Sequence, residues 1–512
     1  MAMGRRKPHQ ESMLLPTVRG GGHRFYEALG KLLDDAGFDA KVEALCAPHY
    51  AGDDVPGRPS IAPGLYFRML LVGYFEGIGS ERGIAWRCAD SISLRDFLKL
   101  PLHVPVPDSS TVSRTRRRLP SDVFESVFRL VLAVVDDKGL LRGKVRGVDS
   151  TYLKADASMR SIVRKDTGED YREYIKRVTA EDEAAKTSNA YDDSDAGGAA
   201  GGSGGTDAGD STSAEKPAAP TMRKVTDEEA RRHDRKRKKT TSNQDWKSPT
   251  DDDARITRMK NGTTRLAYKA EHVVDMETGA ILAAEVLKGD EHDAGSIEAS
   301  LVAAEQNIAA AAPATVKDVV AEGEAWHKEP TAEVVADKGY HKASVLLALK
   351  ERGYRTFIPE KKQRGRRKFV DKGGAATARA FHANRARTQR PKGKALQRRR
   401  GELLERPNQH LYDRGHMREL TVTGQANVKK RVLVQAAGFN LGLVMRQLLG
   451  AGTPKRLAAA IAAVLAALWA AISDFIGGTE RTDRHQERRS WEPPWSPLHA
   501  ATAEIGVFTP AC

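Results

Sequence analysis

The chain has 512 residues, of which 40% are hydrophobic and 29% are charged, and its formal net charge is +15. This length suits about three domains of a soluble globular protein with some disordered insertions. The positive charge favours a polyanionic partner, either nucleic acid or an acidic membrane. Three widely separated cysteines without CxxC spacing argue against a disulfide scaffold or a structural zinc site. No apolar signal core follows the basic N-terminus, so we expect a cytoplasmic protein.

Residues 1–143 are predicted to form a helical N-terminal domain. One apolar helix is expected to begin at Pro63 and another after Pro120, because proline suits the first turn of a helix. Between them lies the segment PDSSTVSRTRRRLP, in which Asp108 or Ser109 can cap a short helix. This short helix resembles the recognition helix of a helix-turn-helix module, although a solvated basic helix is the alternative. Its candidate DNA-binding residues are Arg114, Arg116 and Arg117.

From residue 144 the pattern changes to that of an α/β domain, which is expected to end near residue 450. The predicted strands and helices alternate along the chain: strands at 144–155, 266–275, 280–289, 332–337 and 354–360, and helices at 294–311 and 342–352. Three strands followed by helix, strand, helix and strand is the order of a ribonuclease H-like core. The predicted fold class is therefore α/β, with a ribonuclease H-like core.

Two insertions, at about 160–255 and 361–400, are predicted to interrupt this core. Residues 181–220 contain nine acidic residues and seven glycines but no Val, Ile, Leu, Met, Phe or Trp, so we expect disorder there. Residues 361–400 contain sixteen Lys or Arg against a single acid, and Gly and Pro punctuate them. We expect a flexible arm that contacts DNA phosphates. Its candidate DNA-binding residues are Arg364, Arg366 and Arg367.

The C-terminal region, 451–512, begins with an unusually apolar stretch. Residues 457–472 are sixteen uninterrupted apolar residues, many of them alanine. A membrane span needs about twenty. We therefore predict a buried or partner-facing helix and no membrane association.

Three carboxylates are candidates for metal-dependent chemistry. Asp149 and Asp337 each follow a short apolar run and are predicted to close strands, whose carboxyl ends meet at one edge of an open α/β sheet. A helix across the sheet can supply a third carboxylate from Leu403-Leu404-Glu405. Converging carboxylates can hold two Mg²⁺ or Mn²⁺ ions about 4 Å apart for phosphodiester cleavage. An isolated aspartate at a strand end is more often a cap or turn residue, so spacing alone does not decide.

Several motifs add to these carboxylates: VDST at 148–151, YKAEH at 268–272, VADKGY at 335–340, and a tail with Glu405-Arg406, NVKKR at 427–431 and GFNL at 438–441. Together they resemble the insertion-sequence DDE transposases of bacteria over about residues 55–455. The resemblance implies that Asp149, Asp337 and Glu405 bind two catalytic Mg²⁺ or Mn²⁺ ions. It also implies cutting of double-stranded DNA at the inverted-repeat ends of an element and joining to target DNA. We expect a homo-oligomer on DNA and association with the nucleoid.

Other residues have two possible roles each. Lys338 and His341 are predicted to contact the scissile phosphate, or else to be surface charges. Lys430 and Arg431 form either a DNA-binding track or a solvated helix face.

Pro407, two residues after Glu405, departs from the family pattern and is expected to disfavour helix at Arg406. Glu402 shares roughly the same helix face as Glu405, and Glu419 is expected in a later loop or strand. Two other functions remain open, namely a catalytically decayed or domesticated DNA-binding protein and a nuclease that cuts without joining.

Overall fold

The computed structural model describes residues 3–4, 22–51, 60–192, 224–236, 242–311, 332–361, 369 and 374–479, and every structural statement below refers to them. The chain divides into two compact units, Met1–Leu457 and Ala458–Cys512. The larger unit holds the N-terminal helices and the sheet. The smaller unit contributes most of the last helix, from Ala458 to Thr479, to the described residues.

The described N-terminal residues are helical, as predicted. Their helices are α1 (Arg24–Asp35), α2 (Phe38–Cys46), α3 (Pro63–Glu76), α4 (Glu81–Asp90), α5 (Ile92–Phe97), α6 (Ser109–Arg118) and α7 (Ser121–Asp137). Helix α3 begins at Pro63, and α6 is capped by Asp108, whose side chain accepts a hydrogen bond from the Thr111 amide at 2.7 Å. Buried Arg68 joins α3 to the first two helices through ion pairs with Asp34 and Asp39.

The rest of the larger unit is mixed α/β. Its strands are β1 (Val145–Lys154), β2 (Val163–Arg164), β3 (Trp246–Lys247), β4 (Arg255–Arg258), β5 (Thr264–Asp275), β6 (Ile281–Lys288), β7 (Ala332–Ala336) and β8 (Tyr354–Phe357). Its helices are α8 (Tyr171–Asp192), α9 (Asp227–Lys236), α10 (Asp293–Ala311), α11 (Ala343–Glu351), α12 (Gly374–Gln389), α13 (Pro391–Asp413) and α14 (Gln425–Leu449). Each predicted strand and helix of the core is present within a few residues of its predicted bounds.

The central sheet has six strands in the order β4-β5-β1-β7-β8, with β6 also paired to β5. Strand β5 pairs antiparallel with β1 and with β6, whereas β7 pairs parallel with β1 and β8 pairs parallel with β7. Strands β2 and β3 form a separate ribbon. The long antiparallel strands thus lie on one side of β1, and the short parallel strands lie on the other.

Helices cover both faces of the sheet. Because side chains alternate along a strand, Arg146 and Ser150 of β1 point to one face, where they contact Glu305 and Asp293 of α10. Thr151 points to the other face and hydrogen-bonds Tyr412 of α13. Helix α14 packs against β6 and α7. Asp149 lies two residues before Thr151 on β1 and therefore faces α13 as Thr151 does.

Four sequence-based expectations are wrong. Asp149 lies in the middle of β1 rather than at its end, because β1 continues to pair with β5 as far as Lys154. Residues 181–192 are not disordered but continue α8, where Arg177 pairs with Glu181 one turn away.

Residues 374–400 are not a flexible arm but belong to the helices α12 and α13. Although the segment is rich in Lys and Arg, it also contains residues that are buried in the fold, such as Phe381 and Asn384. Pro407 does not end α13, which continues to Asp413 with Pro407 on its buried side.

The last described helix, α15 (Pro454–Thr479), carries the apolar stretch. Its large side chains are exposed rather than buried, including Trp469 at 73%. By length and composition alone, one described stretch between Gln425 and Ser473 could cross a membrane, with a mean hydropathy of 1.9 in its most apolar window. A buried or partner-facing helix remains the prediction for this segment.

Candidate active site and nucleic-acid-binding surface

Asp149 and Asp337 lie side by side at the centre of the sheet. Val148 of β1 pairs with Ala336 of β7 in a parallel register, and the two aspartates are the next residues along the two chains. Neighbouring strands are about 4.8 Å apart. The fold therefore brings together two of the three carboxylates that the sequence indicates.

The Asp149 carboxylate is largely buried and has two partners on α13. Asn408 donates a hydrogen bond from Nδ2 to Oδ2 at 3.1 Å, and the Arg400 guanidinium lies 3.9 Å from Oδ1. Burial raises the pKa of Asp149 to about 6, against the opposing charge of Arg400, and the charge of Asp337 adds to the increase. A carboxylate desolvated beside a like charge is stabilised when a cation binds both.

His272 of β5 completes the contacts of Asn408. It pairs with Asp149 across the two strands, and its Nδ1 lies 3.3 Å from Asn408 Oδ1. Burial lowers the pKa of His272 to about 4, so the ring is neutral at pH 7. An amide oxygen only accepts hydrogen bonds, so Nδ1 carries the proton. His272, Asn408 and Asp149 form one hydrogen-bonded chain across the sheet.

Asp337 occupies the start of a tight turn. Its Oδ1 accepts a hydrogen bond from the Gly339 amide at 2.6 Å and caps the single 3₁₀ turn Lys338–Tyr340. Asp337 thus has the capping role that is common for an aspartate after a strand. Its half-buried side chain also lies next to Asp149, so the cap and a site role are compatible.

Glu405 lies on the exposed flank of α13. Residues of a helix are about 100° apart, so Glu405 is about 60° around the axis from Asn408. Leu403 and Arg399, on the opposite flank, contact the turn between β5 and β6. Glu405 therefore projects from the flank of α13 that faces away from this turn. Its side chain is exposed.

The described residues contain no group of three or more His, Cys, Asp or Glu side chains close enough to hold a metal ion. Asp149 and Asp337 are together in this conformation, and Glu405 is separated from them. Glu402, the competing glutamate, is paired with Arg406 on the solvent side of α13. Glu419 lies in a loop, as predicted, and pairs with Lys154 at 2.6 Å.

The opposite face of the sheet holds a buried polar network. Glu271 is fully buried and accepts hydrogen bonds from the hydroxyls of Ser296, Ser300 and Tyr340. Burial raises its pKa. Because Tyr340 belongs to the turn that follows Asp337, this network anchors that turn to β5.

A cation-lined cavity of about 850 Å³ opens between α3, α4, α6 and α14. Five of the predicted DNA-binding residues line this one cavity: Arg114, Arg116, Arg117, Lys430 and Arg431. Arg114 and Arg117 are exposed at its rim. Residues far apart in the chain thus form one positively charged surface of the kind that binds phosphate.

Lys430 and Arg431 also join α14 to the N-terminal helices. The Lys430 ammonium donates to the Arg116 carbonyl at 3.0 Å and is only 6% exposed. Arg431 donates to the Thr421 hydroxyl and to the Gly79 carbonyl. Both cations therefore lie at the base of the cavity rather than on a solvated helix face.

The remaining candidate residues are dispersed. Lys338 is exposed in the turn after Asp337, whereas His341 is buried with its ring edge-on to Phe381. Arg364, Arg366 and Arg367 lie outside the described residues.

Two residues close to Asp149 are not identified by the sequence patterns. Arg400 is one cation among the many of the basic insertion, and Asn408 belongs to none of the motifs. A helical periodicity of three and four links Arg400, Leu404, Asn408 and Leu411 on one face of α13, and this is the signal that could have found them.

The chain was compared with known proteins. Residues 17–118 match a family model described as a transposase domain, DUF772. The match supports a transposase. It covers α1 to α6, including Arg114, Arg116 and Arg117 of the cavity. No curated protein and no solved structure matches the chain.

Proposed function

We propose that this protein is an insertion-sequence transposase of the DDE type, which binds the terminal inverted repeats of its element and cleaves and transfers DNA strands. The observation that carries the proposal is the adjacent pair Asp149 and Asp337 on β1 and β7, beneath a helix that bears Glu405. The transposase-domain match at residues 17–118 supports the same class of protein.

The chain order supports a ribonuclease H-like catalytic core. Strands β1, β5 and β6 are followed by α10, β7, α11 and β8, and β7 and β8 lie parallel to β1. In this proposal the first catalytic aspartate, Asp149, lies on β1, and the second, Asp337, directly follows the neighbouring parallel strand β7. It agrees with the order expected from the sequence.

The chemistry of Asp149, Asp337 and Glu405 supports a site for two Mg²⁺ or Mn²⁺ ions. Carboxylate oxygens are the ligands that these ions prefer, and the buried Asp149 beside Asp337 favours a cation. Asp149, Asp337 and Glu405 would hold the ions. When bound, such ions activate the attacking oxygen and stabilise the leaving oxygen of a phosphodiester. Exposed Glu405 can turn toward β7 by changing side-chain rotamers.

Protein groups supply the DNA contacts in this proposal. Arg400 is close enough to Asp149 to contact a phosphate that approaches the carboxylates. The cation-lined cavity binds the backbone of double-stranded DNA away from the site of cleavage, with Arg114 and Arg117 at its rim. The proposal includes a homo-oligomer assembled on element ends and target DNA in the cytoplasm, at the nucleoid.

Strand cleavage and joining test the proposal. The substrate is linear DNA that carries the sequences flanking the gene, incubated with the full-length protein and Mg²⁺. Asp149→Asn, Asp337→Asn and Glu405→Gln should each abolish both reactions while leaving DNA binding nearly unchanged. Glu402→Gln, three residues away and paired with Arg406, is the matched control and should keep at least a tenth of the activity.

Each alternative gives a different result. Cleavage without any joined product would identify a nuclease. Specific binding without cleavage by the unmodified protein would identify a decayed or domesticated DNA-binding protein. Mg²⁺-dependent cleavage by Asp149→Asn would contradict the assignment of the site.

A further inference from the structure

The Asn408 side chain hydrogen-bonds to both Asp149 and His272. Its Nδ2 lies 3.1 Å from Asp149 Oδ2, and its Oδ1 lies 3.3 Å from His272 Nδ1. Both partners lie opposite each other on adjacent strands. Asn408 therefore bridges β1 and β5 from above the sheet.

The chemistry of the three side chains fixes the orientation of the amide. An ionised carboxylate only accepts hydrogen bonds, so the amide must present its NH₂ group to Asp149. Its oxygen then faces His272, which donates from Nδ1. The reversed amide would place two acceptors against each other at Asp149 and two donors at His272. The directions of both hydrogen bonds are thus fixed. The Asn408 NH₂ group donates to Asp149, and His272 Nδ1 donates to the Asn408 oxygen.

We propose that Asn408 is a positioning residue, whose amide orients the Asp149 carboxylate for metal binding and is itself oriented by His272. This inference rests on the proposed function, since it assigns a supporting role at the same site. Groups that hydrogen-bond to metal ligands typically change metal affinity 10- to 100-fold when they are removed. Asn408 hydrogen-bonds to Oδ2 of Asp149, so that the other oxygen, Oδ1, lies on the side of Arg400.

Other side chains at position 408 would not reproduce this contact. Alanine removes the donor to Asp149 and leaves the buried Nδ1–H of His272 without its acceptor. Aspartate places a second negative charge against Asp149, and like charges at that distance oppose ionisation.

The test measures binding of Mn²⁺ by the full-length protein, using the electron paramagnetic resonance signal of the free ion. Asn408→Ala should weaken Mn²⁺ binding 10- to 100-fold. Asn384→Ala is the control, because Asn384 is also a helical asparagine with a side chain that donates and accepts, but that side chain bonds only the backbone of Ile358. It should lower the melting temperature and leave Mn²⁺ affinity within about twofold.

A second pair of variants tests the role of His272 without altering Asn408. His272→Leu removes the donor and should weaken Mn²⁺ binding about 3- to 10-fold. His272→Asn places an amide NH₂ close to the position of Nδ1 and should restore the affinity to within about twofold. This pair decides the question even if Asn408→Ala does not fold.

The outcomes separate the inference from the proposed function. Mn²⁺ binding that is lost in Asp149→Asn but unchanged in Asn408→Ala overturns the positioning role alone. Equal affinity of His272→Leu and His272→Asn also overturns it. Mn²⁺ binding that is insensitive to Asp149→Asn contradicts both the proposed function and this inference.

Discussion

Asp149 should reduce the stability of the metal-free protein. Its pKa of about 6 in the folded state lies above the ordinary value of 3.8, because burial disfavours the charged form. Because the pKa is higher in the folded state, protonation of Asp149 stabilises the folded protein, and this stabilisation is fully present below pH 3.8. It disappears as the pH rises through 6. At pH 7.5 the folded protein therefore contains a destabilising charge.

The magnitude follows from the shift. A shift of two pKa units corresponds to roughly 3 kcal/mol. The gain in folding stability on substitution is smaller, because the side chain is 21% exposed and because the substitution also removes the ion pair with Arg400. We expect Asp149→Asn to stabilise the metal-free protein by about 1–3 kcal/mol at pH 7.5. The same substitution should have an effect close to zero at pH 4.

Urea denaturation in EDTA at a series of pH values measures this difference. Asp252→Asn, which removes the same charge at an exposed position, is the control for general charge effects. Added Mg²⁺ should narrow the difference, because it binds the unsubstituted site. An Asp149→Asn protein that is no more stable than the unsubstituted protein at pH 7.5 would refute the argument from desolvation.

Three other substitutions test features of the fold and the cavity. Gly147→Ala places a methyl group 2.6 Å from the Met276 sulfur and 2.9 Å from a Leu404 side-chain carbon, and it should lower the free energy of unfolding in urea by about 1–3 kcal/mol. An unchanged value would mean that Met276 and α13 pack less closely on β1. Arg114→Gln combined with Arg117→Gln should flatten the logarithmic salt dependence of DNA binding by about 0.9 for each phosphate that the protein no longer neutralises, whereas an unaltered slope would place DNA elsewhere. Asn440→Ala removes two hydrogen bonds to the edge of β6 and should destabilise by about 1–3 kcal/mol, and native-like amide exchange at that edge would contradict this.

The local pattern of apolar residues was sufficient to predict most of the strands and helices of the α/β core. Apolar runs such as those before Asp149 and Asp337 mark buried strands, and parallel strands that end together bring their carboxylates together. Asp149 was wrongly expected at the end of β1, because a strand that pairs on one side can continue beyond its other partner. Strand β7 stops at Ala336, whereas β5 pairs with β1 as far as Lys154.

Helical periodicity places Asn408 on the same face of α13 as buried Leu404 and Leu411, but its contact with Asp149 depends on how α13 lies over β1. Nothing in the sequence between Glu405 and Leu411 reveals which side chain reaches Asp149. The continuation of α13 through Pro407 also depends on tertiary packing rather than on the local sequence. Tertiary packing of α13 outweighs the missing amide donor.

Helix α14 links the two ends of the larger unit, and this affects how the protein can be synthesised. Leu433, Val434 and Ala437 of this helix face Phe124 and Val127 of α7. A ribosome must therefore translate about three hundred further residues before the early helices acquire this neighbour. Until then, an incomplete polypeptide exposes an apolar groove. Messages truncated before α14 should therefore yield fragments that aggregate or are degraded, rather than fragments that occupy DNA and compete with the intact protein.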